Sequence, residues 1–160
     1  KEEGAQAIKH ESGPHTIELT ERLTDNGIPV MAHLGLNPQS VHNIGDLKRR
    51  GTDEEEAQEI REMALKHQEA GAFSVLLEHI PATLAKDITE ELDIPTVGIG
   101  AGPHTSGQGL IITDIFGMGD WIPPFAKQYA DVQSEMEKAA AAYRDEVQNG
   151  EFPAEDHYQD

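Results

Sequence analysis

Short apolar runs alternate with amphipathic stretches along the whole chain. The runs are almost continuously apolar, which is typical of strands that are buried on both faces of a parallel sheet. We therefore predict five strands, at Ala5–Ile8, Ile28–Ala32, Phe73–Leu77, Thr96–Ile99 and Leu110–Ile112.

The stretches between the predicted strands have helical spacing and recognisable ends. Thr52 and Glu55 form a capping box, and the apolar spacing that follows stops at Gly71. Pro81 is placed for the first turn of the next helix. We also predict a helix before Gly27, a last helix from about Tyr129 to Gly150, and a long glycine-rich connection between Leu36 and Gly51.

Strands that alternate with helices predict a parallel α/β fold, either a doubly wound sheet or a barrel. We assign residues 1–150 to this domain and residues 151–160 to an exposed acidic tail. Because the chain begins with Lys1 and not with Met, we expect it to be part of a longer protein.

The composition restricts the classes of function. Against 12 Lys and Arg stand 30 Asp and Glu, a formal net charge of −18 that argues against binding to nucleic acid or to an anionic membrane. No apolar run has the length of a membrane span. The absence of cysteine excludes disulfides, a cysteine nucleophile and thiolate metal sites. We expect a cytoplasmic protein, and the excess of carboxylates suggests a cell with a salty interior.

Polar residues follow the predicted strands. Lys9, His10 and Glu11 follow the first strand, His33 the second and Glu78 the third. Since the carboxyl ends of parallel strands meet at one edge, we expect these side chains to share a rim where ligands bind. Taken singly, each has a structural alternative: a surface carboxylate or ion pair for the glutamates, a hydrogen-bonded histidine for His33. The glycine-rich turn at 98–102 suits an anion, although Pro103 and its spacing disfavour a dinucleotide site.

Four collinear segments resemble the ketopantoate hydroxymethyltransferase family. They are AHLGLNPQSV at 32–41, LLEHIP at 76–81, TVGIGAGP at 96–103 with the later Gly107-Gln108, and FAKQY at 125–129 after Asp114. The similarity extends from about residue 5 to 153, nearly the whole chain. His10 stands where the family has an aliphatic residue and Ser12 where it usually has a glycine.

The resemblance implies that the chain is the C-terminal part, about strands 4 to 8, of a TIM (β/α)8 barrel. It implies transfer of a hydroxymethyl group from 5,10-methylenetetrahydrofolate, or from a related pterin, to 2-oxoisovalerate, which gives ketopantoate on the route to pantothenate and coenzyme A. The complete enzyme is then a homo-oligomer that uses one Mg²⁺ per active site, and an enolate stabilised by that ion is the intermediate. The resemblance also favours a halophilic archaeon as the source.

The family motif assigns roles to four residues of this chain. Glu78 is the general base, and Glu11 is one carboxylate ligand of the magnesium ion. Lys9 and His33 bind the substrate. Two further aspartate ligands of the family lie in strands for which this chain has no counterpart.

Two alternatives remain at this point. One is a related magnesium-dependent barrel enzyme that acts on 2-oxo acids, such as a phosphoenolpyruvate mutase or isocitrate lyase type, although the catalytic cysteine loop of that group has no counterpart here. The other is an inactive half-barrel, or one that depends on a partner. We expect these 160 residues alone to be inactive.

Overall fold

In the computed structural model, which describes residues 4–37 and 48–159, the chain forms two units, Lys1–Gly109 and Leu110–Asp160. The first unit contains a five-stranded sheet. Its strands are β1 Ile8–Glu11, β2 Val30–Gly35, β3 Ser74–Glu78, β4 Thr96–Ile99 and β5 Gly107–Gln108. All four neighbouring pairs are parallel, and the order in the sheet is the order in the sequence. The predicted parallel α/β fold is therefore confirmed.

In the described part of the first unit, the α-helices are α1 Ile17–Asp25, α2 Glu54–Glu69 and α3 Ala82–Glu91, and a 3₁₀ turn at Pro14–Thr16 precedes α1. The apolar core lies between the sheet and these helices. One set of alternating strand residues packs there against apolar residues of α2 and α3, and burial of each such side chain stabilises the fold by about 1.5–3 kcal/mol. The residues are Ala32, Leu34, Val75 and Leu77 from the strands and Ile60, Ala64, Leu84 and Ile88 from the helices.

The predicted strands differ from the observed ones in position. β1 begins at Ile8, where the predicted strand ends. It continues through residues 9–11, which pair with β2 although they are polar. The fifth prediction is wrong. Leu110–Ile112 is not in the sheet, and the fifth strand is instead the two-residue segment Gly107–Gln108 beside β4. Most of the predicted connection after Leu36, including residues 38–41 of the first family segment, lies outside the described residues.

The observed starts of two helices differ from the predicted ones, because the N-cap residue is not the one expected. The N-cap of α2 is Asp53, not Thr52: the Asp53 carboxylate accepts a hydrogen bond from the Glu56 amide at 2.9 Å. A carboxylate also gains from the positive end of the helix dipole, which favours Asp53 over the neighbouring hydroxyl. Pro81 occupies the N-cap position of α3 and not its first turn.

The second unit contains α4 Ile112–Phe116 and α5 Val132–Asn149, followed by a 3₁₀ turn at Glu155–His157. Tyr129 lies outside α5, because the helix begins after Asp131, whose carboxylate accepts from the Ser134 amide at 3.2 Å. The predicted end at Gly150 is correct, and this residue has φ +74°.

Beyond Gly150, Phe152 is half-buried and its ring contacts Tyr143, with 5.3 Å between the ring centroids. The assignment of residues 151–160 to a separate tail stays a prediction. Across the ranges 4–37 and 48–159, no helix combines the length and the apolar character that crossing a membrane requires.

Candidate active site

The pairing register places the four predicted site residues on one face of the sheet. In β1, His10 pairs with Ala32 of the apolar core and so faces the helices. Lys9 and Glu11 alternate with His10 and therefore face the other side. Glu11 pairs with His33.

The same face continues into β3. His33 pairs with Leu76, and Glu78 lies two residues after Leu76 on the same face. Because every strand runs in the same direction, Glu11 and Glu78, the last residues of their strands, lie at one edge of the sheet. Glu11 and Glu78 thus share the predicted edge, whereas Lys9 and His33 lie within their strands on the same face, and His10 is on the opposite face.

His33 and Glu78 are in direct contact. The Nε2 atom of His33 lies 3.1 Å from Oε2 of Glu78, and only 4% of the His33 side chain and 13% of the Glu78 side chain are exposed. The N–H direction of the ring is not aimed at that oxygen, since Nε2 has no well-directed hydrogen bond. The two side chains are therefore in close contact without a well-directed hydrogen bond, in a place with little water.

A glycine opposite Glu78 lets two strands approach each other closely. Gly35 pairs with Glu78 and has φ +93°, a conformation that glycine adopts without strain. A Cβ atom at Gly35 would lie 2.3 Å from the carbonyl oxygen of Glu78. That carbonyl accepts a hydrogen bond from the Leu36 amide at 2.9 Å. Gly35 thus fixes the backbone position of Glu78.

Ser12 joins the end of β1 to the middle of β2, a role that the sequence did not reveal. Its hydroxyl oxygen accepts from the His33 amide at 3.2 Å, and its own amide donates to the His33 carbonyl at 2.8 Å. The side chain is buried. These contacts hold the backbone of His33 from the β1 side. A small hydroxyl residue directly after a strand is the only signal for this role in the sequence.

Lys9 and Glu11 differ in exposure. Lys9 is exposed, whereas Glu11 is half-buried at the end of β1. A lysine ammonium on an open strand face suits an anionic group such as a substrate carboxylate. The structure thus leaves Lys9 accessible while it places Glu11 deeper, beside His33.

The side chains at this edge of the sheet can be compared with the ligands that magnesium prefers. Mg²⁺ is commonly held by one or two carboxylates together with waters and substrate oxygens. Glu11 offers one such hard oxygen ligand. Among residues 4–37 and 48–159, no three His, Asp or Glu side chains come together as a metal site. Glu11 therefore fits as one carboxylate ligand, while the described residues do not by themselves complete a site of three such ligands.

His79 is a second residue that the sequence analysis missed. It follows Glu78 directly and has φ +51°, the one positive φ among the non-glycine residues that the structure describes. Its pKa lies below the ordinary value, mainly because the ring is partly buried and also because Arg49 is close, while Glu78 opposes the shift. The amide of His79 donates to the Ile99 carbonyl at 2.8 Å, so the turn after Glu78 is tied to β4.

Packing explains two glycines of the 98–102 turn. A Cβ atom at Gly98 would lie 2.6 Å from the Thr105 hydroxyl, and one at Gly102 would lie 2.3 Å from the Ala82 side chain. The side-chain nitrogen Nε2 of Gln108 also closes the turn, because it donates to the Gly102 carbonyl at 3.0 Å. Close packing thus accounts for these glycines without a bound anion.

Comparisons with known proteins all point to one enzyme family. The family model described as ketopantoate hydroxymethyltransferase matches residues 1–155. Proteins named 3-methyl-2-oxobutanoate hydroxymethyltransferase are 55% identical in Halobacterium salinarum and 58% identical in Haloarcula marismortui, each over 157 residues. The protein of that name from Geobacter sulfurreducens is 51% identical over 158 residues.

Each of these matches covers 98% of this chain but only 57–59% of the relative. The chain thus spans a little over half the length of the curated relatives that it matches. The family match extends over almost all of the chain and includes the segments that carry Lys9, Glu11, His33 and Glu78. The chain belongs to the ketopantoate hydroxymethyltransferase family.

Proposed function

We propose that this chain forms part of an enzyme that transfers a hydroxymethyl group from 5,10-methylenetetrahydrofolate, or from a related pterin, to 2-oxoisovalerate. The product is ketopantoate, on the route to pantothenate and coenzyme A. The contact between His33 and Glu78, on the face of the sheet opposite the helices, is the observation that carries the proposal. It brings a carboxylate and an imidazole together, largely out of water, at the edge of a parallel sheet where ligands bind.

The first chemical step in this proposal is removal of a proton from carbon 3 of the 2-oxo acid. The C3–H bond breaks, the proton goes to a carboxylate oxygen of Glu78, and the electron pair moves toward the 2-oxo oxygen to form an enolate. General base catalysis of this kind contributes about 10²–10⁴-fold. Both carbon–nitrogen bonds of the pterin's methylene carbon break, the two nitrogens take up protons, and water supplies an oxygen, so that the one-carbon unit reacts at the oxidation level of formaldehyde. The enolate carbon attacks this carbon and forms the new carbon–carbon bond, the C=O electron pair moves to the oxygen, and that oxygen takes a proton to become the new hydroxyl group.

Glu78 suits the role of base because its position is fixed. Gly35 sets its backbone, and the buried ring of His33 lies against the carboxylate. Held in this way, the carboxylate loses little freedom when substrate binds, and placement within about 1 Å matters by about 10²-fold. We assign to His33 the role of a polar group of the substrate pocket that also holds Glu78.

On β1, we assign Lys9 to substrate binding and Glu11 to magnesium binding. Lys9, exposed on the same sheet face, would pair with the substrate carboxylate or 2-oxo oxygen. Glu11 would hold magnesium as one carboxylate ligand. When bound, that ion supplies a Lewis acid for the 2-oxo acid.

We also infer that the sheet is part of a (β/α)8 barrel, namely its fourth to eighth strands. The strand order follows the sequence without a reversal, whereas doubly wound sheets reverse their order at a switch point. This supports the barrel over the doubly wound alternative. A cytoplasmic, homo-oligomeric enzyme from a halophilic archaeon belongs to the same proposal.

The experiment is a chimera in which this chain replaces the matching 157 residues of the Haloarcula marismortui protein. The purified chimera is given 2-oxoisovalerate, Mg²⁺ and methylenetetrahydrofolate, and ketopantoate is measured by chromatography. Steady formation of ketopantoate that depends on both substrates supports the proposal. A folded chimera that forms none with either folate or an archaeal pterin, while the parent protein does, contradicts it.

A further inference from the structure

A chain of hydrogen bonds lies on the helix side of β1, behind the proposed site. The Nε2 atom of His10 is 3.0 Å from the Thr20 hydroxyl, and that hydroxyl is 3.0 Å from Nδ1 of His67. Thr20 on α1 and His67 on α2 are completely buried, and His10 is half-buried. One hydroxyl group thus connects a strand with two helices.

The partners of the His10 ring indicate the direction of its hydrogen bonds. The Nδ1 atom of His10 is 3.1 Å from the carbonyl oxygen of Glu11, which can only accept, so Nδ1 carries the proton. In the neutral ring Nε2 then accepts from the Thr20 hydroxyl, whose oxygen also lies within hydrogen-bond distance of His67 Nδ1. Burial, with His10 nearby, lowers the pKa of His67 to about 4, which keeps its ring neutral. A weaker second acceptor for Thr20 is the Thr16 carbonyl, at 3.2 Å.

The chain of hydrogen bonds continues to the rim through Ser12. Its hydroxyl donates to the His10 carbonyl at 3.0 Å and also lies 3.2 Å from His10 Nδ1. The same hydroxyl oxygen accepts from the His33 amide. The hydrogen bonds therefore run from His67 through Thr20, His10 and Ser12 to the backbone of His33, whose side chain contacts Glu78.

We propose that Thr20 is a positioning residue for this rim. Its hydroxyl fixes the His10 ring on the helix side of β1, and this holds the strand end where Ser12 secures His33 and where Lys9 and Glu11 face the opposite side. No other side-chain hydroxyl contacts either His10 Nε2 or His67 Nδ1 in the described part of the chain. Without the Thr20 hydroxyl, a ring nitrogen of half-buried His10 and one of buried His67 would lose this partner, and the helices would no longer hold the end of β1 through the His10 ring.

Amide hydrogen exchange on the 160-residue chain tests the structural part of this proposal. Thr20→Val removes the hydroxyl and keeps the shape of the side chain. Thr24→Val is the matched control, since Thr24 lies one turn further along α1 and its hydroxyl donates to the Ala70 carbonyl at 2.7 Å, away from β1. The amides of Ser12 and His33 report on the rim, and the amide of Val75, which donates to Pro95, is the reference.

We expect Thr20→Val to raise the exchange rates of the Ser12 and His33 amides by about tenfold relative to Val75, and Thr24→Val to leave that ratio within about twofold. A general loss of stability would raise all three rates together. If the ratio in Thr20→Val equals that in Thr24→Val, the proposal is overturned.

The catalytic part rests on the function proposed above and is tested in the chimera. We expect Thr20→Val to lower kcat by about tenfold while KM for 2-oxoisovalerate changes by less than about twofold, and Thr20→Ser, which restores the hydroxyl, to recover the activity. Equal kcat in Thr20→Val and Thr24→Val, or failure of Thr20→Ser to recover it, would overturn the positioning role. If the unmutated chimera is inactive, the proposed function fails, whereas the exchange ratio still decides whether Thr20 holds the rim.

Discussion

The imidazole of His33 and the carboxylate of Glu78 meet at the carboxyl edge of the sheet, with 3.1 Å between Nε2 and Oε2. The two residues come from neighbouring parallel strands that a long stretch of sequence separates, and both side chains are largely shielded from solvent. A carboxylate held in this way suits proton transfer better than one on a flexible loop, because its position is set before the substrate arrives. The first prediction concerns the glycine that permits this arrangement.

Gly35→Ala should displace Glu78. The added Cβ would lie 2.3 Å from the Glu78 carbonyl oxygen and 2.8 Å from the Ile80 side chain, and φ +93° is strained for alanine. We expect the variant to lose about 2 kcal/mol or more of unfolding free energy and to lower kcat of the chimera by about 10²-fold. The control is Gly107→Ala on β5, where the nearest atom to an added Cβ is 4.0 Å away. Denaturant unfolding and steady-state kinetics provide the two measurements, and equal behaviour of the two variants would refute this role of Gly35.

His67 should make stability depend on pH. Its pKa falls from 6.5 to about 4 in the folded chain, mainly through burial and with a contribution from His10. The neutral form is the one that the fold favours, so this stability is fully present above pH 6.5 and is lost as the pH falls toward 4. The loss from this group between about pH 7 and about pH 4 is about 3 kcal/mol.

The variant His67→Asn isolates this contribution, because asparagine does not titrate and its amide can still donate to Thr20. Carboxylates also take up protons over the same range, so the quantity to compare is the difference in slope of unfolding free energy against pH. We expect a shallower slope for His67→Asn than for the unmutated chain. Identical slopes would show that His67 is not held neutral.

Salt should stabilise the chain. A net charge of −18 on 160 residues produces self-repulsion, and its range shrinks as the Debye length falls from about 10 Å at 0.1 M to about 3 Å at 1 M. We therefore expect the Tm to rise between these two concentrations of KCl. Tetramethylammonium chloride at the same ionic strength is the control for specific ion effects. A Tm that stays constant or falls in KCl would refute adaptation to a salty interior.

The 160-residue chain alone should not form ketopantoate. In the part of the chain that the structure describes, no three His, Asp or Glu side chains come together as a metal site, and β1 and β5 are edge strands. Unpaired edges favour association, so size-exclusion chromatography should show self-association, and the activity assay should show no turnover. Turnover by the chain at the rate of the Haloarcula marismortui protein would contradict the assignment of the metal site.

Much of the fold follows from periodicity, and the errors have identifiable causes. β2, β3 and β4 lie where apolar runs are flanked by turn residues, and the shared edge of Glu11 and Glu78 follows from parallel strands alone. The fifth strand could not be predicted, because Gly107 and Gln108 carry no apolar signal and join the sheet only through backbone pairing with β4. The cap of α2 was misplaced by one residue because Thr52 and Asp53 each precede a glutamate at the same spacing.

The contacts within the site could be identified only from the pairing register of the strands, which the sequence pattern does not give. Sequence patterns assign a residue to a strand face, but His33 meets Glu78 only because β2 and β3 are neighbours with Leu76 opposite His33. His10 and Ser12 were noticed as departures from the family pattern, and nothing in the sequence indicated that they contact each other or that Thr20 lies between His10 and His67. Such long-range hydrogen bonds depend on how the helices pack on the sheet.

Exchange of the C3 proton of 2-oxoisovalerate for deuterium, followed by NMR in D₂O without the one-carbon donor, tests the base assignment most directly. The comparison is between the chimera and its Glu78→Gln variant, which keeps the size and hydrogen bonding of the side chain but cannot accept the proton. Glu91→Gln, at the exposed end of α3, is the control for loss of a carboxylate. We predict that Glu78→Gln lowers the exchange rate by about 10²-fold or more while 2-oxoisovalerate still binds, and that Glu91→Gln leaves the rate unchanged. Exchange at the unmutated rate in Glu78→Gln would contradict the account.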